Sequence, residues 1–390
     1  MRSPRSAAAA LLAFAAVTLP VRAEAPATPS AAFEPGTSLT APIALMLDLG
    51  SGRTLFARET RRRFMPASLT KIMTAYVAFE LIAAGKLDPA QRFAMSDAAF
   101  DQWHRVGSTM FLNRGQSVSV DELLRGIMTV SANDGCVVLA EGASGSVANF
   151  VALMNAEARR LGMNDSHFGS PNGWPDQGAT YTTAHDLTLV TRAMLLRHPA
   201  LYQAYVGHPE MTFNGIRQGN HVPIVGRVAG ADGVKTGFTN EAGYGLVGSA
   251  ARNGRRLVMV IAGAPTARVQ HQASREFLEW GFQAFNGSPL FPKGADIGEA
   301  RVQDGADRSV RLTAPIAVGY DLPAGQTGGV KLSIHYEGPL RAPIAKGEQV
   351  AELEIAAEGM RPSRVPLMAG NDVPVANGFQ RLINGIAGLL

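Results

Sequence analysis

The chain is 390 residues long, 46% apolar and 17% charged, with a formal net charge of +4. That length fits one large and one small domain, and so apolar a composition excludes a largely disordered protein. The positive charge is scattered, its densest cluster being Arg61-Arg62-Arg63, and no basic stripe is interleaved with aromatics, so no nucleic-acid partner is expected.

At the N-terminus Arg2 and Arg5 precede an apolar run over residues 7–19, and Val21-Arg22-Ala23 offers a small-x-small cleavage site. The run is short for a bilayer span, so residues 1–23 read as a signal peptide and the mature protein as exported to a periplasm. Residues 24–40, rich in Pro, Ala and Ser, read as a linker. Alternation from Ile43 to Leu49, the turn Gly50-Ser51-Gly52 and apolar residues around Leu55 predict a hairpin. Pro66 and Gly85 then bracket a helix buried on most sides, carrying Leu69, Ile72, Met73, Tyr76, Val77 and Leu81. Ser119 and Glu122 are spaced as a capping box for a helix over residues 118–128. Ser131-Ala132-Asn133 falls in the connector after it. Asn133 and Asp134 are placed to cap the next helix, which contains the only cysteine, Cys136, read as a small buried hydrophobe. Thr183 with Asp186 opens a further helix toward Arg197.

Residues 233–237, 244–250 and 257–262 read as strands joined by tight turns, and Val269, Ala273, Phe277 and Trp280 give residues 267–285 a helical face suited to covering a sheet. The expected fold is α/β of the α+β kind. An antiparallel sheet built from both ends of residues 41–287 is flanked by helices, with a helical subdomain inserted. Residues 288–375 read as a small all-β domain with a spacer role. Phe379, Leu382, Ile383, Ile386 and Leu390 make residues 376–390 an amphipathic helix that either lies on a membrane surface or docks on the β domain.

Three polar motifs stand out: Ser68-Leu69-Thr70-Lys71, Ser131-Ala132-Asn133 and Lys235-Thr236-Gly237. Each alone is commonplace, but in this order, on a helix start, a connector and a strand, they specify an acyl-transfer site. A serine hydroxyl needs a base to attack a carbonyl, and Lys71, three residues on, can serve once burial and the cation of Lys235 favour its neutral form near pH 7. Ser131 can relay a proton and Asn133 can position Lys71 or a substrate amide. Gly237 allows close approach, while Thr236, Lys235 and Arg268 suit a substrate ending in a carboxylate. The backbone N–H groups of Ser68 and Phe238 are candidate oxyanion donors. The eight histidines are scattered and no His-Glu-x-x-His occurs, so neither metal nor cofactor is expected.

With Phe168-Gly169-Ser170-Pro171-Asn172-Gly173, Tyr181-Thr182-Thr183-Ala184-His185-Asp186 and the trailing β segment, these motifs make the chain resemble the low-molecular-mass penicillin-binding proteins that act as serine D-Ala-D-Ala carboxypeptidases. The resemblance covers nearly the whole mature chain. It implies a β-lactamase/transpeptidase-like catalytic domain, removal of the terminal D-Ala from peptidoglycan stem pentapeptides through an acyl-enzyme, and acylation by β-lactams. It further implies Ser68 as nucleophile, Lys71 as base, Ser131 and Asn133 as relay and positioning groups, and Lys235 with Thr236 as carboxylate binders. Two positions depart from the family: Phe238 stands where a histidine is frequent, and Gln270 where some relatives carry a carboxylate-binding arginine. A β-lactamase would need a second base, and no Glu-x-x-Leu-Asn segment is present. A DD-endopeptidase or transpeptidase would use the same motifs and is not separated by them, whereas a non-catalytic peptidoglycan-binding scaffold would be expected to lose Ser68 or Lys71.

Overall fold

The computed structural model describes residues 39–358, 360–378 and 380. The expected signal peptide, most of the expected linker and most of the expected C-terminal helix lie outside them. β1 (Ile43–Asp48) and β2 (Thr54–Arg58) pair as the expected hairpin. The chain then passes Pro66 into a short 3-10 turn, Ala67–Thr70, which runs straight into α1 (Lys71–Ala83). One continuous helix from Pro66 is thus not formed, because Ala67 takes a left-handed φ of +49° that no α-helical residue adopts.

The inserted segment comprises β3 (Arg92–Ala94), α2 (Asp97–Trp103), β4 (Ser117–Ser119), α3 (Val120–Thr129), α4 (Asn133–Ser144), α5 (Val147–Arg160), α6 (Ala184–Arg197) and α7 (Pro199–Tyr205), then the ribbon of β5 (Glu210–Phe213) and β6 (Ile216–Gly219). Local chemistry sets several of these starts. Ser119 Oγ accepts from Glu122 N at 3.2 Å while the Glu122 carboxylate accepts from Ser119 N at 2.8 Å, and Thr183 Oγ1 accepts from Asp186 N at 3.0 Å.

The chain returns through β7 (Ala231–Thr239), β8 (Gly243–Arg252) and β9 (Arg255–Ala264) to α8 (Ala267–Gln283). The antiparallel sheet runs β2-β1-β9-β8-β7, so the first strands lie against the last and β7 is an edge. Both faces are buried. Ile43, Leu45, Val258 and Val260 join the core under the inserted helices; Ala44, Met46, Leu257 and Met259 join the core under α8 with Ala273, Phe277 and Leu278.

Beyond α8, β10 (Phe285–Phe291), β11 (Asp296–Gln303), β12 (Ser309–Thr313), β13 (Val318–Pro323), β14 (Val330–His335), β15 (Leu340–Arg341), β16 (Gln349–Ala357) and β17 (Ser363–Ala369) enclose a separate core around Val310, Leu312, Leu353, Ile355 and Leu367. Buried charges tie this part to the first sheet: Arg255 Nε donates to Asp48 Oδ2 at 2.6 Å and its guanidinium lies 2.8 Å from Asp321, while Ser363 Oγ donates to the Ser51 carbonyl at 2.7 Å.

α1 is anchored at its far end by Glu80, which accepts from Tyr76 Oη at 2.6 Å, Arg197 Nε at 2.8 Å and His198 Nε2 at 2.9 Å. Burial alone would raise this carboxyl, but the donors from His198, Arg197 and Tyr76 outweigh it and hold Glu80 well below its ordinary 4.5. A depressed carboxyl stabilises the fold fully above its unfolded pKa and loses that effect as pH falls toward the folded one. Glu80→Ala is therefore expected to cost about 2 kcal/mol near pH 7, with the gap to the unmodified protein narrowing steadily below about pH 4.5, as read by urea unfolding.

Candidate active site

Ser68 and Lys71 lie at the two ends of a 3-10 turn, where residues three apart eclipse one another. Lys71 Nζ accordingly lies 2.7 Å from Ser68 Oγ. The amine is fully buried and donates to Asn133 Oδ1 at 2.8 Å and to the Asn172 carbonyl at 2.8 Å. Asn133 is held in that orientation because its amide nitrogen donates to the Val106 carbonyl at 3.0 Å. Both partners are oxygens that only accept. A neutral amine satisfies them with its two N–H bonds and is left with one lone pair, facing the Ser68 hydroxyl.

Burial pushes Lys71 down from 10.5 to about 8, opposed by Cys136 and then by Asp134. Rather than capping its helix from outside, Asp134 is buried in the first turn of α4 and accepts from Met110 N at 3.0 Å and Leu112 N at 3.1 Å, bracing the loop that carries Val106 and Ser108.

The turn bearing Ser68 is clamped from two sides. Gly173 (φ +72°) presses on it so closely that a Cβ there would fall 1.9 Å from the Ala67 carbonyl oxygen, and a Cβ at Gly237 of β7 would lie 2.6 Å from the Pro66 oxygen. Thr74 Oγ1 donates to the Pro171 carbonyl at 2.5 Å and pins the Gly173 segment to α1. Ser131 holds a left-handed φ of +63° between α3 and α4, and its buried Oγ has no hydrogen-bond partner among the described residues. Such strain and an orphaned hydroxyl are costly unless a ligand uses them. Lys235 is fully buried, with Nζ donating to the Thr236 carbonyl at 3.2 Å; burial first and then Lys71 push it well below its ordinary value.

These residues border one cleft of about 570 Å³ between the inserted helices and the β7 edge. Ser68, Ser131, Asn133, Thr236, Gly237 and Phe238 line it together with Trp174, Thr239, Tyr244, His221, Gln270 and His271; Lys71 and Lys235 are buried behind the wall. Phe238 stacks on Tyr244 at 4.2 Å, and Phe238 and Trp174 are 48% and 43% exposed, leaving apolar faces free on both sides of Ser68.

Arg268 is not brought into this cleft. It is exposed and lines a neighbouring depression with Gln272, Arg275 and Glu276; Ala267 and His271 border both that depression and the cleft, and Gln270 the cleft alone. The expected apolar face holds, with Val269, Ala273, Phe277 and Trp280 all packed in or against the core under the sheet, while Gln270 is buried beside it and donates its amide to the Gly245 carbonyl at 2.5 Å. Asn172 acts through a main-chain carbonyl, which no residue-type argument picks out. Trp174, His221 and His271 carry no local signal either: single residues become neighbours only when distant loops meet.

A serine hydroxyl within 2.7 Å of a buried amine, beside the edge of an antiparallel sheet, is the arrangement shared by the serine acyl-transfer enzymes of the penicillin-binding class. Comparison with known proteins narrows the class. Residues 27–266 match the family described as D-alanyl-D-alanine carboxypeptidase, and residues 285–375 match the penicillin-binding protein 5 C-terminal domain. The D-alanyl-D-alanine carboxypeptidase DacA of Haemophilus influenzae is 34% identical over 347 residues, 88% of each chain. Penicillin binding protein 5 from Haemophilus influenzae superposes with a TM-score of 0.68 at 34% identity, covering 86% of this chain and 98% of that one. Penicillin-Binding Protein D2 from Listeria monocytogenes, solved in an ampicillin-bound form, superposes with a TM-score of 0.56 at 29% identity over 64% of this chain and 100% of its own. The chain belongs to the serine-type D-alanyl-D-alanine carboxypeptidase family.

Gly173→Ala is expected to displace the Ser68 turn and lower the rate of serine labelling by a fluorescent penicillin at least about a hundredfold, with circular dichroism little changed. Labelling at the unmodified rate would show that the contact between Gly173 and Ala67 is not needed to set the nucleophile.

Proposed function

We propose that the protein removes the terminal D-Ala from peptidoglycan stem pentapeptides and is acylated at the same serine by β-lactams. Ser68 Oγ attacks the carbonyl of the penultimate D-Ala while its proton passes to the neutral Lys71 amine. The N–H groups of Ser68 and Phe238 hold the tetrahedral oxyanion, a contribution of roughly 3 kcal/mol per donor in comparable sites. As the C–N bond breaks, the proton on Lys71 reaches the departing D-Ala amine through Ser131. Water then attacks the ester with Lys71 as base, which frees the shortened peptide and restores the Ser68 hydroxyl. Thr236 borders the space for the terminal carboxylate, and Lys235 lies buried behind it. The observation that carries this reading is the 2.7 Å approach of Lys71 Nζ to Ser68 Oγ with its other two contacts made to acceptors.

In the proposed division of labour, residues 41–287 perform the chemistry and residues 288–375 act as a spacer. Residues 1–23 direct export to the periplasm, and the apolar stripe of residues 376–390 makes peripheral contact with the outer face of the inner membrane. Deleting residues 376–390 is expected to move the protein from the membrane to the soluble periplasmic fraction. Unchanged membrane association would overturn that last assignment.

Incubation with a pentapeptide ending in D-Ala-D-Ala should release D-Ala, and fluorescent penicillin should leave an adduct on Ser68; both are lost in Ser68→Ala. Correctly folded protein giving neither product would refute the proposal, and release from cross-linked dimers in preference to pentapeptides would favour an endopeptidase. Because the free amine forms as pH rises, the acylation rate should climb about tenfold per pH unit on the acid side and level off near pH 8. A flat profile would exclude Lys71 as the base.

A further inference from the structure

We propose that His271, on the first turns of α8, is the residue that recognises the free carboxylate of the substrate and so sets specificity for peptides with an unblocked C-terminus. The inference rests on the carboxypeptidase reading above and deepens it.

A peptide ending in D-Ala brings a full negative charge into the cleft, and a charge taken out of water needs donors close by. No arginine and no carboxylate is among the residues lining the cleft. Lys71 has its contacts committed to Ser68, Asn133 and Asn172. Lys235 is enclosed, with Nζ on the Thr236 carbonyl. Thr236 and Thr239 offer hydroxyls, but the Thr239 Oγ1 hydrogen is directed to Met65 Sδ at 3.5 Å.

The wall that continues from these threonines is α8. Ala267, Gln270 and His271 share one face of it, being three and four residues apart. Ala267 has no polar side chain, and the Gln270 amide is spent on Gly245. That leaves the His271 imidazole as the side-chain N–H group on this wall, half-buried and open to the cleft. His221, the other lining histidine, belongs to the lysine end: partial burial, Lys235 and Lys71 together push it down to about 4, so it stays uncharged.

The charges around His271 make its response to an anion predictable. Partial burial first, then Arg275 on its own helix and Arg227 in the connector before β7, hold the His271 imidazole below its ordinary 6.5. Arg268 and Glu276 border the adjoining depression, Tyr244 lines the cleft from β8, Arg252 of β8 is paired with Glu279, and Arg255 of β9 is turned to Asp48. No carboxylate lining the cleft competes with the incoming one. Binding an anion therefore raises the imidazole toward its charged form, and recognition weakens as pH rises while Lys71 becomes more active.

The test uses the mature enzyme and two peptides, one ending in D-Ala-D-Ala carboxylate and the same peptide with a C-terminal amide. For the carboxylate peptide, H271A is expected to raise KM about tenfold with a much smaller change in kcat, and H271R to restore KM and remove its rise with pH. For the amide peptide the KM of H271A should match that of the unmodified enzyme. Recovery by H271R separates recognition from loss of folding. An unchanged KM in H271A, or equal changes for acid and amide, overturns the role of His271. D-Ala release by neither the unmodified enzyme nor its variants overturns the carboxypeptidase reading, and this role with it.

Discussion

The site depends on one buried amine whose surroundings leave it a single productive contact. Lys71 is enclosed on all sides, and its two oxygen partners each come from a different part of the inserted segment. Asn133 is set by the Val106 carbonyl, Asn172 by the segment that Thr74 pins to α1, and both must be in place before the lone pair can face Ser68. Most of the packing described above serves that arrangement. The helices bury the amine, Asp134 braces the loop that orients Asn133, and Gly173 and Gly237 let two further segments close on the turn that carries Ser68.

The cost of the arrangement is visible in the backbone. Ala67 and Ser131, both next to reacting groups, occupy the left-handed region without being glycine. Each such residue costs of order 1–2 kcal/mol, which the two apolar cores and the anchoring of α1 through Glu80 offset.

Much of this was legible in the sequence because its signals are local. Capping pairs such as Ser119 with Glu122 mark helix starts through contacts three residues apart, and β1 is readable from its run of apolar residues between Ile43 and Leu47, which are divided between the cores on its two faces. The three motifs could be read together because their residue types have few other joint uses. What escaped was set by tertiary packing. Asp134 looks like a helix cap until the residue 106–112 loop brings two N–H groups to it. The apolar face of α8 was readable and holds, but which polar residues beside it meet the cleft was not: Gln270 and His271 line it and Arg268 does not. Asn172 contributes an atom that every residue possesses.

The position of β7 at the margin of its sheet has a further consequence. A strand without an outer neighbour carries a free row of amide and carbonyl groups, and an extended chain laid along it is gripped through its own main chain, whatever side chains it bears. Such a grip spaces the bound polymer in steps of one residue against the serine, so the scissile bond is chosen by counting back from the end that stops at the wall of the cleft. Composition farther along that polymer is then free to vary without moving the bond that is cut.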